Sequence, residues 1–391
     1  MLARQFTEEQ HMFRQAYRRF VTEEIVPHME GWRAAGIVDR KLFKRAGDQG
    51  FLMVWPEECY GGMDDYDIRW EQVIIEELAY ARASDWFGSL HSRIVGPYIT
   101  RFGNKEQQDR YMPRAVSGDL ILAIAMTEPD AGSNLAGMRT TAVDAGDHWL
   151  LNGQKTYISN GINCDLVIVA AKTDPDNNPH AMTLFLVEPG FEGFARGRNL
   201  KKLGLKAQDT AELFFNDTKV PKANVLGEVH QGFYYLMEGL AEERLLGAMG
   251  YSAAAQLSWD LTADFVNERQ VFGKSLAQLQ NTQFTLADLR TELDIAQSFV
   301  DQCAIAFNAG TLTAADAAKA KLKTSELQQQ VADKGLQLHG GAGFMDEYAI
   351  SRQCADAKIA TIYAGSSEIM KMIIGRDCLG TDYKPFNTRN F

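Results

Sequence analysis

From about Gln231 onward the chain is written at helical spacing. The pattern predicts helices over Gln231–Asn267, Leu279–Asn308, Ala314–Leu338 and Ser367–Cys378, joined by short connections. Long helices with short joins favour an antiparallel bundle, because each must bury an apolar stripe against its neighbours. The joins carry their own signals. Asn308-Ala309-Gly310 reads as a C-terminal cap, and Thr313 with Asp316 reads as the start of the next helix.

The rest of the chain is written differently. Between Thr7 and about Gly118 the pattern predicts further helices, including Glu71–Ala83 and Lys105–Ser117. Thr7 and Gln10 have the spacing of a capping box, and Met12, Phe13, Ala16, Phe20 and Val21 follow at helical spacing. Trp55 to Gly62 is a turn-rich break. The middle section predicts strands over His148–Leu151, Thr156–Ser159, Leu166–Ala171, Thr183–Val187 and Glu212–Phe215. Asn152-Gly153 reads as a hairpin turn, since glycine supplies positive φ at little steric cost. Residues 173–179 read as a loop, and Val220 to Asn224 closes the section. The expected fold class is α+β. It has a helical domain over 1–119, a small β-barrel or sandwich over 120–228 and a helical bundle over 229–391.

Composition narrows what such a chain does. At 391 residues it is long enough to bury a large core without disulfides. Its net charge of −11 disfavours nucleic-acid binding, which needs a basic face. The five cysteines are dispersed without a CxxC, which argues against a disulfide framework or zinc ribbon and fits a reducing compartment. The seven histidines form no HxxxH pair, so no metal is expected. No apolar run approaches the roughly 20 residues of a membrane span. The first ten residues have no apolar signal core, so the expected location is cytoplasmic.

Four segments are candidates for chemistry. Ala125 to Gly137 is a small-residue loop after an apolar strand, with Thr127 and Ser133 offering hydroxyls to a polar ring or a phosphate. Gln337-Leu-His-Gly-Gly-Ala-Gly-Phe344 permits close backbone approach, but it is not GxGxxG and no strand precedes it. Ile362-Tyr-Ala-Gly-Ser-Ser-Glu-Ile369 leads into a helix whose free N–H groups suit an anion or a carbonyl oxygen. Arg269 to Leu276 brings two cations, Arg269 and Lys274, with Gln280 close behind. Taken singly, each reads as well as an ordinary turn, cap or solvated loop.

Together, in this order and spacing, the four segments resemble the acyl-CoA dehydrogenase family. Pro56-Glu-Glu-Cys-Tyr-Gly-Gly62 and Val220-Pro221 extend the resemblance over essentially the whole chain. It implies bound FAD and removal of two hydrogens from the α and β carbons of an acyl-CoA thioester, giving the trans-2-enoyl-CoA. By resemblance, Met126, Thr127 and Ser133 line the flavin and the thioester end. Tyr157 shields the flavin ring and Ser159 lies near its N5. Arg269, Phe272, Gln280, Gln337, Gly340 and Gly341 match positions that reach the FAD of a neighbouring subunit. Ser366 and Glu368 match contacts to the cofactor's other end. A shared cofactor implies a homo-oligomer, usually a tetramer in this family. The implied electron acceptor is an electron-transferring flavoprotein.

One departure decides the mechanism that the resemblance implies. Many members carry the catalytic glutamate between Tyr and Gly of the third segment, where this chain has Ala364. A second branch, the long-chain and isovaleryl types, places the base in a Glu-Arg pair on a helix of the C-terminal domain. Leu240-Ala-Glu-Glu-Arg-Leu-Leu246 matches it, with Glu243 as the α-proton acceptor and flavin N5 as the β-hydride acceptor. A carboxylate desolvated near its substrate is a stronger base than in water. The Ala364 backbone N–H serves as a donor to the enolate oxygen whatever the side chain is, so Ala364 and Gly365 count with Ser133 and Arg244 as substrate-binding. Glu242 is the competitor, about 100° away on the helix. Gly247, Ala248, Gly250 and Ala253–Ala255 suit close helix packing better than a widened acyl pocket. Asn134 and Ala355 depart from residues the family commonly has there. The expected substrate is a medium- or long-chain or branched acyl-CoA, fatty or terpenoid. The rival with the same fold is an oxygen-using flavin oxidase or monooxygenase, and a flavin-free scaffold is the non-enzyme rival.

Overall fold

The computed structural model describes residues 4–174, 178 and 180–380. The expected loop at 173–179 and the reading of the first ten residues therefore fall partly outside the described residues. In chain order the helices and strands begin with α1 (Glu8–Phe20), α2 (Met29–Ala35), α3 (Lys41–Asp48), α4 (Arg69–Tyr80), α5 (Gly96–Phe102) and α6 (Lys105–Val116). The strands β1 (Leu122–Ala125), β2 (Thr141–Asp144), β3 (His148–Ser159), β4 (Leu166–Lys172), β5 (Met182–Val187), β6 (Phe194–Asn199), β7 (Thr210–Pro221) and β8 (Val225–Leu226) follow. Then come α7 (Gly232–Glu268), the short pair β9 (Gln270–Val271) and β10 (Lys274–Ser275), α8 (Gln280–Asn308), α9 (Ala314–His339), α10 (Ala349–Ala357) and α11 (Ser367–Leu379).

These elements form two compact units, and neither is continuous in sequence. One takes residues 4–18, 68–82 and 240–380; the other takes 19–67 and 83–239. Among the described residues no helix is long and apolar enough to cross a membrane.

The helical unit follows its sequence signals closely. The Thr7–Gln10 box forms: the Thr7 N–H donates to Gln10 Oε1 at 3.1 Å, and the Gln10 N–H donates to Thr7 Oγ1 at 3.2 Å. Thr313 caps α9 by accepting the Asp316 N–H at 3.0 Å, and Gly310 takes φ 68° after α8. Ala255, Leu289, Leu293, Ala296, Leu327 and Val331 make a core between α7, α8 and α9, with Trp259 against it. Gly250 permits close packing, since a Cβ there would lie 3.2 Å from Ile75 Cγ2.

Less expected in this unit are the buried carboxylates of α4. Glu76 takes Arg4 at 2.7 Å and Arg14 at 2.9 Å; Glu77 takes Arg14 at 3.0 Å and Arg18 at 2.6 Å. Arg4 also binds Asp301 of α8 at 2.7 Å, and Gln72 donates to the same carboxylate at 3.0 Å. Buried charges are tolerable only when paired in this way.

The second unit is built on one sheet, with strand order β6-β7-β3-β2-β4-β5-β8 and β1 pairing parallel to β4. β4 is apolar on both sides and is used on both. Leu166, Ile168 and Ala170 join a core with Tyr98, Tyr111 and Met112, whereas Val167, Val169 and Ala171 join Trp149, Phe185 and Leu213.

One expectation fails here. Asn152-Gly153 is no hairpin turn: β3 runs straight through it and pairs with β7, with a register shift between Leu151 and Gly153. The shift marks a bulge. Gly153 takes φ 145°, and a Cβ there would come within 2.5 Å of Thr140 Oγ1. Asn152 exchanges hydrogen bonds with Asp217 across the bulge, both at 2.9 Å. The turn that joins β2 to β3 is residues 144–148, where Gly146 has φ 94°. The edge strand β6, Phe-Ala-Arg-Gly-Arg-Asn, lacks apolar alternation and is not legible from the sequence.

Candidate active site

In the sheet unit the small-residue loop after β1 is held from below by two buried charges. The Glu128 carboxylate accepts from the Arg139 N–H at 2.5 Å, the Thr140 N–H at 3.0 Å and Lys155 Nζ at 2.8 Å. Burial alone raises a carboxyl pKa, but Lys155 and the Arg139 N–H outweigh it and hold Glu128 below the usual range. Lys155 is fully buried, and burial pushes its ammonium down to about 8 against the pull of Glu128. Its Nζ also donates to the Met126 carbonyl at 3.0 Å, and the Thr156 N–H donates to the Thr127 carbonyl at 2.9 Å. Met126, Thr127 and the Tyr157–Ser159 end of β3 are thus brought together. Ser133 is exposed on the same loop.

Tyr157 is 68 % exposed and has φ 60°, at a second register shift of β3 between Lys155 and Ile158. A non-glycine residue in the left-handed region, presenting an aromatic ring to solvent, is a costly arrangement. The bulge turns the ring out of the strand's alternation. Ser159 follows, half-buried.

Two other expected site residues share this strain. Phe272 has φ 48° and, with Gly273 at φ 76°, forms the two-residue turn between β9 and β10. Its ring is 95 % exposed at the tip of that hairpin. Arg269, Gln280, Gln337, Gly340 and Gly341 are exposed as well. The hairpin after α7 and the glycine turn after α9 lie at one end of the helical unit, because Phe265 stacks on His339 with centroids 4.1 Å apart.

The third strained residue is Ala364, with φ 51°, followed by Gly365 at φ 89°. The Ala364 N–H has no acceptor among the described residues. Ser366 caps α11 by accepting the Ile369 N–H at 3.4 Å, and its hydroxyl helps hold the exposed Glu368 carboxyl below the usual range.

On α7, Glu242, Glu243 and Arg244 are all buried, the two glutamates at 5 % and 8 % exposure. Burial therefore marks the segment as unusual for charged side chains but does not separate Glu243 from Glu242. Burial lowers the Arg244 pKa, with Glu243 opposing, and Arg244 Nε has no hydrogen-bond partner among the described residues. Arg244 faces Lys321 of α9, whose Nζ donates to the Gly365 carbonyl at 2.7 Å. Arg244, Lys321 and the Ala364–Gly365 turn thus form one group. Glu128, Lys155 and Lys321 were not singled out from the sequence. The available signal was a charge at an inward strand or helix position.

A cavity of about 470 Å³ in the sheet unit, lined by Thr141, Trp149, Val229 and His230 among others, includes none of these residues. Among the described residues no group of three or more His, Cys, Asp or Glu could hold a metal ion.

Known proteins match this arrangement along its length. Family models of the acyl-CoA dehydrogenase N-terminal, middle and C-terminal domains match residues 7–119, 123–218 and 230–379. The mitochondrial long-chain specific acyl-CoA dehydrogenase of Rattus norvegicus is 45 % identical, over 96 % of this chain and 87 % of its own. The mitochondrial isovaleryl-CoA dehydrogenase of Pongo abelii is 36 % identical, over 95 % of this chain and 88 % of its own. The crystal structure of an acyl-CoA dehydrogenase from Geobacillus kaustophilus superposes with a TM-score of 0.94 at 46 % identity, covering 96 % of this chain and 99 % of that one. A glutaryl-CoA dehydrogenase from Mycobacterium smegmatis, solved in complex with FADH2, gives 0.90 at 28 % identity, with 97 % of each chain covered.

Proposed function

The chain belongs to the acyl-CoA dehydrogenase family, and on that premise we propose that it dehydrogenates a long-chain or branched acyl-CoA with Glu243 as the base. The observation that carries the assignment is the buried Glu243-Arg244 pair on α7, set against a turn at Ala364 that has no carboxylate. Glu243 takes the α-proton, and the unpaired Ala364 N–H supports the thioester oxygen as charge develops there. Arg244, buried and unpartnered at Nε, supplies positive charge beside that oxygen. Its field favours the charged products of proton removal.

FAD fits the residues present. Tyr157 and Phe272 hold exposed rings on strained backbone, a cost that a bound planar group would repay. Met126, Thr127, Ser133, Tyr157 and Ser159 would hold the flavin, with Ser366 and Glu368 at the cofactor's other end. When bound, the flavin supplies the acceptor for the β-hydride. Arg269, Phe272, Gln280, Gln337, Gly340 and Gly341, exposed in the single chain, are proposed to meet the cofactor of a neighbouring copy in a tetramer. The proposed electron acceptor is an electron-transferring flavoprotein. We retain the division at 119/120 and 228/229 as the family-type domain boundaries.

Anaerobic titration of the yellow holoprotein with a panel of acyl-CoA esters tests the reading. Bleaching by a long or branched ester supports it. Glu243→Gln should slow that bleaching about 10²- to 10⁴-fold, the usual worth of a positioned base. Glu242→Gln should bleach close to the wild-type rate, and the reverse result would move the base to Glu242.

A further inference from the structure

Lys321 is fully buried, yet no carboxylate oxygen lies within ion-pair distance of it among the described residues. Among the described residues its ammonium donates to the Gly365 carbonyl at 2.7 Å, on the residue that follows Ala364. A methionine would fill such a place more cheaply if packing were the only demand. The ammonium is instead spent on a turn whose two central residues both have positive φ. Such a turn persists only where its surroundings hold it.

A second tie reaches the same turn from the other side. Tyr251 lies two turns along α7 from Glu243 and is buried. Its ring packs on that of Tyr363, centroids 6.1 Å apart, and the two hydroxyls interact. Gly247 sits between Glu243 and Tyr251 on this face of the helix. A Cβ there would come 2.8 Å from the Tyr251 hydroxyl, so only glycine leaves that oxygen its place.

We propose that Lys321 and Tyr251 are positioning residues, which fix the Tyr363–Ser366 turn to the base-bearing helix and so aim the Ala364 N–H at the thioester oxygen. This rests on the assignment of Glu243 and Ala364 above. Lys321 contributes through the carbonyl it binds, and Tyr251 through its hydroxyl, which meets that of Tyr363 where the two rings pack. The charged groups around the Lys321 ammonium are Arg244 on α7, Glu326 on α9 and Glu368 on α11. The first lowers its proton affinity and the other two raise it.

The test uses the holoenzyme and an acyl-CoA whose third chain atom is sulfur. Its α-proton is acidic, and its β position has no hydride to give. Binding therefore stops at the enolate, seen as a long-wavelength band against oxidised flavin. The variants are Lys321→Met, Lys321→Arg and Tyr251→Phe. Expected for Lys321→Met and Tyr251→Phe is a KM near wild type and a kcat lower by about 10- to 100-fold, the cost of a displaced donor. The pH at which the enolate band appears should rise by about one unit, since each unit is a tenfold change in α-proton affinity. Lys321→Arg should recover part of both. If Lys321→Met loses its flavin, Tyr251→Phe decides alone. Wild-type kcat and a wild-type enolate pH in Tyr251→Phe together with Lys321→Met would overturn the proposal. Glu243→Gln, run in parallel, separates the two readings. An enolate band that survives it at the wild-type pH removes Glu243 as the base, whatever the turn variants do.

Discussion

Two buried lysines, one in each unit, do superficially the same thing. Lys155 donates to the Met126 carbonyl and Lys321 to the Gly365 carbonyl, at 3.0 and 2.7 Å. Burial pushes both ammonium groups down to about 8. They differ in what balances the charge. Lys155 has Glu128 at 2.8 Å, and Glu128 is in turn satisfied by two backbone N–H groups. Among the described residues Lys321 has no such partner, and it faces Arg244 instead. A closed ion pair is complete when the chain folds and serves structure. Two buried cations that face each other leave positive charge uncompensated, which the proposal above assigns to the turn at Ala364.

Breaking the closed pair should cost most. Glu128→Ala leaves Lys155 buried without a counter-charge and should lower stability by about 3–5 kcal/mol, read from denaturant midpoints. The double replacement Glu128→Gln with Lys155→Met should recover much of that loss, because no uncompensated charge remains. Lys321→Met should cost far less, about 1–3 kcal/mol for a carbonyl left without its donor. Equal stability losses for Glu128→Ala and Lys321→Met would mean that the two lysines are balanced alike.

The smallest effect is in the pH dependence. Lys321 has a folded pKa of about 8 against an ordinary value of 10.5, so the unfolded chain binds this proton more tightly. Its burial therefore costs stability below about pH 8, and the cost is relieved as pH rises from 8 to 10.5. The stability of the wild type relative to Lys321→Met should accordingly grow between pH 7 and pH 9.5. A difference that stays flat with pH would mean that the lysine is not held out of water.

The sequence made the helical half plain because its signals are local. The Thr7–Gln10 and Thr313–Asp316 caps and the run of α7 depend on residues three or four apart. The sheet was less legible because pairing is not local. Asn152-Gly153 has the composition of a turn, but its partners, Thr140 and Asp217, decide that it is a bulge. The family resemblance pointed to the segments around Tyr157, Phe272 and Ala364, but it could not show their strain. The supports beneath them, Glu128, Lys155 and Lys321, look in sequence like any solvated charge. Only burial distinguishes them.

The Arg4–Asp301 contact has a consequence for how the chain is made. The sheet unit is complete once residue 239 has been synthesised, but the helical unit is not. Its opening helix carries Arg14 and Arg18 for Glu76 and Glu77, while Arg4 shares Glu76 with Arg14 and has its second partner, Asp301, 297 residues downstream. During synthesis the helical unit can therefore be completed only after the sheet unit. Until Asp301 emerges, Arg4 and Gln72 lack the carboxylate they share, so the side of the helical unit that joins residues 4–18 and 68–82 to α8 is left open until late in synthesis.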